Sequence, residues 1–446
     1  MDVILNFLYY FGLLILGLSI LVVIHELGHF LPAKWFGMRV EKFYLFFDYP
    51  RKIWSFKKGD TEYGVGWLPL GGYVKISGII DESMDTKNAA LLPQEWEFRA
   101  KPVWQRLIVM VGGVTMNVIL AVVIFWGIKY LDGETKIPMG SLKYGIDVPS
   151  GSLSEQMGFQ AGDKILDVKG KKVEYFNELL VPSFLLDNDV YFTVLRGNET
   201  IRIMIPDDFI NKLSNKKLGE NIIFVPNGEA VVETAREGAG AKAGLKDKDK
   251  IIAIDSVQIG SFGEIRKQLK DKGNRDVNVT VLRGKETVNL SVKLDSSAKL
   301  GVGLDNTSME LVQVEYGLFA SFWVGTKLAF SVVRDNLMGF KKLFSGNADT
   351  KSLSGPVGIA KIIGKAVERS GLYGFLVILA TLSMVLAFMN ILPIPALDGG
   401  HVVFLLIELV MRKEPSLKIR MVTQQVGMGI LLLFMFFAVF NDIMNW

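Results

Sequence analysis

The sequence predicts a polytopic α-helical membrane protein: four transmembrane helices, a small cytoplasmic β-rich loop and two tandem extracytoplasmic α+β domains. Three observations predict it. Half of the 446 residues are apolar, four uncharged stretches reach the length of about 20 residues that spans a bilayer, and the long polar middle of the chain repeats itself. The net charge of +4 is small and mixed in sign. No basic stripe is interleaved with aromatics, so no nucleic-acid surface is expected. The chain has no cysteine, which excludes disulfides, Cys-ligated zinc and a Cys nucleophile.

The apolar stretches cover 3–24, 107–128, 371–397 and 421–441. The first has no basic n-region, is too long for an h-region and runs into ionisable residues, so it reads as a span and not as a signal peptide. Basic residues set the orientation. Lys34, Arg39 and Lys42 follow the first span, Arg99, Lys101 and Arg106 lead into the second, and Arg412, Lys413, Lys418 and Arg420 separate the third from the fourth. Both termini then face out, and the stretch from about Lys129 to Ser370 lies across the membrane from the basic loops.

That outer stretch carries the repeat. GFQAGDKILDVKGKK (158–172) aligns with GLKDKDKIIAIDSVQ (244–258), and VYFTVLRGNETIRIMI (190–205) with VNVTVLRGKETVNLSV (277–292). Each copy alternates as short strands and adds a helix, in FNELLVPSFL and FGEIRKQLKD, so two tandem α+β domains are expected. Between them and the third span, Tyr316 to Phe344 is apolar at helical spacing but holds Lys327, Arg334, Asp335, Lys341 and Lys342. It reads as an amphipathic helix in the interface and not as a fifth span. The chain therefore divides into a first span at 1–34, a cytoplasmic loop at 35–104, a second span at 105–130, outer domains at 131–226 and 227–307, an interfacial segment at 308–370, and the last spans at 371–412 and 413–446.

The chemistry begins in VVIHELGHFLPAK, at the end of the first span. His25 and His29 stand four apart on one helix face, a spacing that suits two nitrogen ligands on one Zn²⁺. Glu26 lies beside the first ligand, where it can take a proton from the attacking water. A bare HExxH also occurs as a charged helix face. Here His25 lies about 13 Å deeper along the helix than Lys34, at about 1.5 Å per residue, and ionisable groups within a span mark function. A third ligand is needed. NILPIPALDGGHVVF (390–404) offers Asp398 and His401. Pro393 and Pro395 break the helix there, which membrane depth tolerates only where protein or a polar cavity satisfies the backbone. Asp398, immediately after the break, is preferred, with His401 as the alternative. A two-His, one-carboxylate set also suits non-haem iron, which has no use for Glu26. A non-enzymatic scaffold is the reading from another class, and it leaves the ionisable residues in the spans unexplained.

HELGH at 25–29 and NxxPxPALDG at 390–399, on separate spans around a tandem outer pair, resemble the site-2 protease family of intramembrane zinc metalloproteases, peptidase family M50. GVGWLPLGGYVKISG (64–78), KPVWQRLIVMVGG…N (101–117) and SGPVGIA (354–360) extend the resemblance over essentially the whole chain. It implies zinc on His25, His29 and Asp398, Glu26 as catalytic base, and Asn390, Pro393 and Pro395 receiving substrate. The outer domains would be PDZ domains that screen substrates by size. The substrate would be a single-span membrane protein, such as an anti-sigma factor already cut by a site-1 protease, or a remnant signal peptide. The protein would act as a monomer in a bacterial inner membrane, with termini and PDZ domains in the periplasm and the active site near the cytoplasmic side. Gly151-Ser152-Leu153 and Gly238-Ala239-Gly240 are weak candidates for PDZ carboxylate-binding loops. Two departures from the family pattern stand out: Gly112-Gly113-Val114, where a proline often follows the glycine, and Asp48, where many relatives have glycine. TEYGVGWLPLGGYVKIS (61–77) alternates and is punctuated by Gly and Pro, so it reads as a β-hairpin or looped sheet. Its edge near Gly71 and Gly72 could hold an unwound substrate by strand addition, or the segment is a structural cap on the cytoplasmic mouth.

Overall fold

The computed structural model describes residues 2–79, 93–149, 151–180, 189–205, 224–234, 238–305, 309–344 and 355–444. Two expected pieces, 181–185 of the first repeat and Ser354 of the SGPVGIA segment, lie outside the described residues. The chain forms two compact units, one of 1–132, 316–336 and 353–446, the other of 133–315 and 337–352.

The first unit is helical. Its principal helices are α1 (Asp2–Trp35), α2 (Val103–Leu131), α3 (Leu318–Phe344, of which it holds the part up to Asn336), α4 (Pro356–Ile391), α5 (Asp398–Met411) and α6 (Leu417–Met444). Among the described residues four helical segments are long and apolar enough to cross a membrane: Leu8–Trp35, Val103–Leu131, Pro356–Ile391 and Lys418–Asp442. Their core is the packing of α1 against α2 and α4, with Leu14, Leu21, Phe375 and Leu379 buried. α3 is not one of the four. It leaves Phe319, Trp323 and Phe330 exposed while Trp126 of α2 donates its indole N–H to Leu318. The stretch 308–370 is thus not one interfacial segment. It holds a strand at Val312–Val314, α3 and the first half of α4, which kinks at Gly371 where the backbone leaves the helical region (φ 55°).

A sheet hangs from the end of α1. It begins earlier than the hairpin expected at 61–77, because β1 (Val40–Lys58) is part of it together with β2 (Thr61–Ile76). Both strands fold over. Residues 42–45 pair on one side with 72–75 and on the other with 62–65, and 62–66 pair again with 52–57. The order across the sheet is therefore 72–75, 42–45, 62–65, 52–57. Among the described residues, 71–76 form an outer edge with a single partner. Asp48 earns its place here: its carboxylate takes a 2.7 Å bond from Lys42 and another from Tyr73. Burial alone would raise the Asp48 carboxyl, but these two donors hold it below the ordinary value and tie the turn to the edge strand.

The second unit carries the repeat. Each copy has a four-stranded antiparallel sheet of the same order, Lys171–Lys172, Lys164–Val168, Tyr191–Arg196, Glu199–Met204 in the first, and Val257–Gln258, Lys250–Ile254, Asp276–Arg283, Glu286–Lys293 in the second. One core runs from Leu142 to Phe224, the other from Ala230 to Leu300. Even the polar detail repeats. Arg196 bonds both oxygens of the buried Asp163 and the Gly158 carbonyl, and Arg283 does the same to Asp249 and Gly244. Ser152 caps the helix Leu153–Gln156, and the Gly240 N–H is bonded to the Leu300 carbonyl at 2.8 Å.

Candidate metal centre

The centre is assembled from four helices and the sheet edge. α1 contributes His25 and His29, one turn apart. α2 crosses α1 with almost no spacing: a Cβ on Gly28 would lie 2.2 Å from the Gly112 carbonyl oxygen, and one on Gly112 would lie 1.9 Å from that of Gly28. Only a pair of glycines lets the two backbones approach so closely. One residue on, Gly113 faces the histidines, and a Cβ there would meet His29 Nε2 at 2.4 Å and His25 Cε1 at 2.6 Å. α4 ends at Ile391, the chain turns through the two prolines, and Ala396 takes a left-handed backbone (φ 79°). α5 then opens on Asp398.

The result is a near-equilateral triangle. His25 Nε2 lies 3.2 Å and His29 Nε2 3.4 Å from Asp398 Oδ2, and the two nitrogens are 3.3 Å apart. A tetrahedral ion with bonds of about 2.0–2.1 Å spaces its ligands by about 3.3–3.4 Å, so the donor set fits zinc in both chemistry and size. Asp398 Oδ2 is also buried with no hydrogen-bond partner among the described residues, as an oxygen reserved for a cation would be. His401 is not brought to this cluster; it sits a turn further along α5, in the wall of a separate cavity.

Further contacts orient the donors. His29 Nδ1 donates to the Val109 carbonyl at 2.8 Å, leaving Nε2 with its lone pair toward the triangle. His25 Nδ1 lies 3.2 Å from the side-chain amide of Asn117, whose Oδ1 is otherwise buried without a partner. The amide ends are interchangeable in shape; with Oδ1 turned to His25, it accepts the Nδ1–H and fixes the same tautomer. Val109, Gly113 and Asn117 recur every four residues, so a single stripe of α2 serves both histidines. Ser383 of α4 anchors that stripe through the Asn117 carbonyl at 2.7 Å. Sequence reasoning missed Asn117 and Gly113. The available signal was a polar residue four positions after a glycine pair inside an apolar span. Asn117→Leu is expected to weaken zinc binding about 10–100-fold, read by competition with a chromogenic chelator.

Glu26 points between α1 and the sheet. The Val74 N–H of the edge strand donates to its carboxylate, and a Cβ on Gly72 would lie 3.5 Å from Glu26 Cγ and only 2.5 Å from Val22. Asn390, on the last turn of α4, reaches to 3.5 Å from His25 Nε2. The other expected substrate residues are dispersed. Pro393 is exposed and Pro395 half-buried, with the Pro395 carbonyl packed where a Cβ on Gly427 of α6 would lie. Gly71 stands off the helix, beside Phe47.

A helix-borne His pair, a carboxylate across the bundle and a neighbouring acid define the class of metal-dependent hydrolases. The profile of peptidase family M50 matches residues 13–434, and the chain belongs to that family. It is a membrane zinc metalloprotease, which sets aside the scaffold reading. A protein of Xylella fastidiosa described as "Putative zinc metalloprotease" is 28% identical over 452 residues, 97% of this chain and 98% of its own length. One of Vibrio cholerae with the same description is 28% identical over 464 residues, 99% of each chain. The "Regulator of sigma E protease" of Haemophilus influenzae is 28% identical over 470 residues, 99% of this chain and 100% of its own.

Proposed function

We propose that this protein is an intramembrane endopeptidase that cuts the spanning segment of single-span membrane proteins after another protease has shortened them, with an anti-sigma factor as the expected substrate and remnant signal peptides as a further class. The observation that carries this reading is the triangle of His25, His29 and Asp398 beside Glu26, with both histidines and the glutamate on a helix of membrane-spanning length. These three residues would hold the zinc. Bound there, zinc supplies a Lewis acid that polarises the scissile carbonyl and acidifies a water.

The chain's own residues do the rest. Glu26 takes the proton of the attacking water and delivers it to the leaving amine. Asn390 is placed to donate to the carbonyl oxygen as charge develops on it. A helix in lipid hides its peptide bonds, so the substrate must be drawn out before it is cut. The outer edge at 71–76 is paired on one side only among the described residues and touches Glu26, and it would hold that extended strand. The tandem α+β repeat supports a PDZ pair that screens substrates by size. The flanking basic residues support periplasmic termini and a periplasmic PDZ pair, with the active site toward the cytoplasm of a bacterial inner membrane.

The reading is tested with the purified protein in liposomes and a single-span substrate labelled on both sides of its span. Cleavage inside the span that stops with chelator and returns with zinc is the expected result; cleavage confined to the soluble flanks overturns it. For the edge, a Cβ on Gly72 would collide with Val22 at 2.5 Å and the Tyr44 carbonyl at 2.8 Å. Gly72→Val is therefore expected to lower cleavage about 100-fold by displacing the strand while zinc stays bound. Unchanged cleavage removes strand addition, and loss of zinc makes the sheet a structural cap.

A further inference from the structure

A cavity with charged and amide groups in its wall lies apart from the metal ligands. Arg106 of α2, His401 and Glu408 of α5, and Arg420 and Gln424 of α6 form much of its wall. Three wall side chains hold buried donors with no acceptor among the described residues: Arg106 Nε, Arg420 Nε and Gln424 Nε2. Arg106 and Gln424 are only 5% and 6% exposed, a placement that is costly for unmatched donors. Both outer nitrogens of Arg106 and one of Arg420 are already committed. Arg106 forks onto Glu408 and reaches Glu414 at 3.3 Å, and Arg420 reaches Glu414 at 3.0 Å. Arg99, also in the wall, is held by Glu97 at 2.6 Å. These pairs leave the wall near neutral, so what is missing is acceptors and not simply negative charge.

The position of the cavity narrows the ligand. Arg106 lies in the first turn of α2 and Arg420 in the first turn of α6. Both helices are among the spanning set, so their starts lie at the depth of lipid headgroups. The N-terminal turns of both add a positive field that favours an anion; Arg412 and Lys413 belong to the connection just before α6, and Lys418 to its first turn. We propose that this cavity binds a phosphate group, supplied by the headgroup of an anionic lipid, whose oxygens accept from Arg106 Nε, Arg420 Nε and Gln424 Nε2. The site needs no proteolysis, and its test does not depend on cleavage.

The test uses the full-length protein, delipidated in non-ionic detergent, with its melting temperature followed against three probes: short-chain phosphatidylglycerol, inorganic phosphate and short-chain diacylglycerol. Phosphatidylglycerol is expected to raise the melting temperature saturably, and diacylglycerol to leave it unchanged. Gln424→Leu, which breaks no ion pair, is expected to raise the half-saturating lipid concentration about tenfold. R420K, which keeps the charge and removes Nε, is expected to do the same. Saturation by inorganic phosphate at the same concentration supports the phosphate site and assigns it to the soluble ion. No saturable shift with either phosphate probe, or equal binding by the parent and both variants, overturns the proposal.

Discussion

Glu26→Gln is expected to keep a full complement of zinc and to lose cleavage by about 10²–10⁴-fold, the range that a positioned acid–base group contributes. The structure makes this substitution unusually clean. The amide oxygen of glutamine still accepts from the Val74 N–H, and the unchanged Cγ keeps its place beside Gly72. What disappears is the ability to take a proton from water and pass it to the amine. Glu26→Ala would be a poorer experiment, since it strands the Val74 N–H and opens space where the edge strand rests. Metal content by mass spectrometry, together with single-turnover cleavage in liposomes, reads the two quantities separately. A variant that binds zinc and turns over within a few-fold of the parent would move the base elsewhere, with no other carboxylate among the described residues joining the cluster. The inactive form is also the trap of choice, because it should hold an undamaged substrate in native membranes.

The parts of this centre that were legible in the sequence are those fixed by local periodicity or by the cost of burial. His25 and His29 share a face because helical spacing puts them there. Asp398 announced itself by standing after two prolines in an apolar run, where an ionisable group is expensive. The repeat was legible because both copies keep the same strand pattern, down to Arg196 and Arg283 at matching positions. What stayed hidden depends on contacts between distant segments. Gly28 and Gly112 are each ordinary in sequence, and only the crossing of α1 and α2 shows that neither tolerates a side chain. Asn117 reads as an isolated polar residue until α2 is laid beside His25. The sheet shows the same limit. The alternation at 61–77 was visible, but 40–58 is rich in aromatics on both faces, and the central place of its 42–45 part comes from pairing on two sides at once. Asp48, noted only as a departure from the family pattern, gained a reason once Lys42 and Tyr73 were seen to hold it.

Gly113→Ala should empty the metal centre without touching a ligand. The added Cβ would sit 2.4 Å from His29 Nε2, 2.6 Å from His25 Cε1 and 2.8 Å from His25 Nε2, all well inside the carbon–nitrogen contact distance. The rings cannot yield easily, because Val109 and Asn117 hold them from behind. Swinging either ring aside breaks the triangle that matches a tetrahedral ion. Zinc is therefore expected to fall from about one per chain to near zero, and cleavage with it. The neighbouring Gly112→Ala separates this effect from general damage. Its Cβ would meet the Gly28 carbonyl at 1.9 Å, so it must force the two helices apart. With zinc stripped from all three proteins, Gly113→Ala should lose less stability than Gly112→Ala, since its Cβ displaces side-chain rings at the cost of their bonds to Val109 and Asn117, whereas that of Gly112→Ala meets backbone. Comparing apo forms matters, because bound metal stabilises whichever variant retains it. Full zinc occupancy in Gly113→Ala would mean that α2 stands farther from the histidines in the working protein, and would take the Val109–Gly113–Asn117 stripe out of the account of how the donors are held.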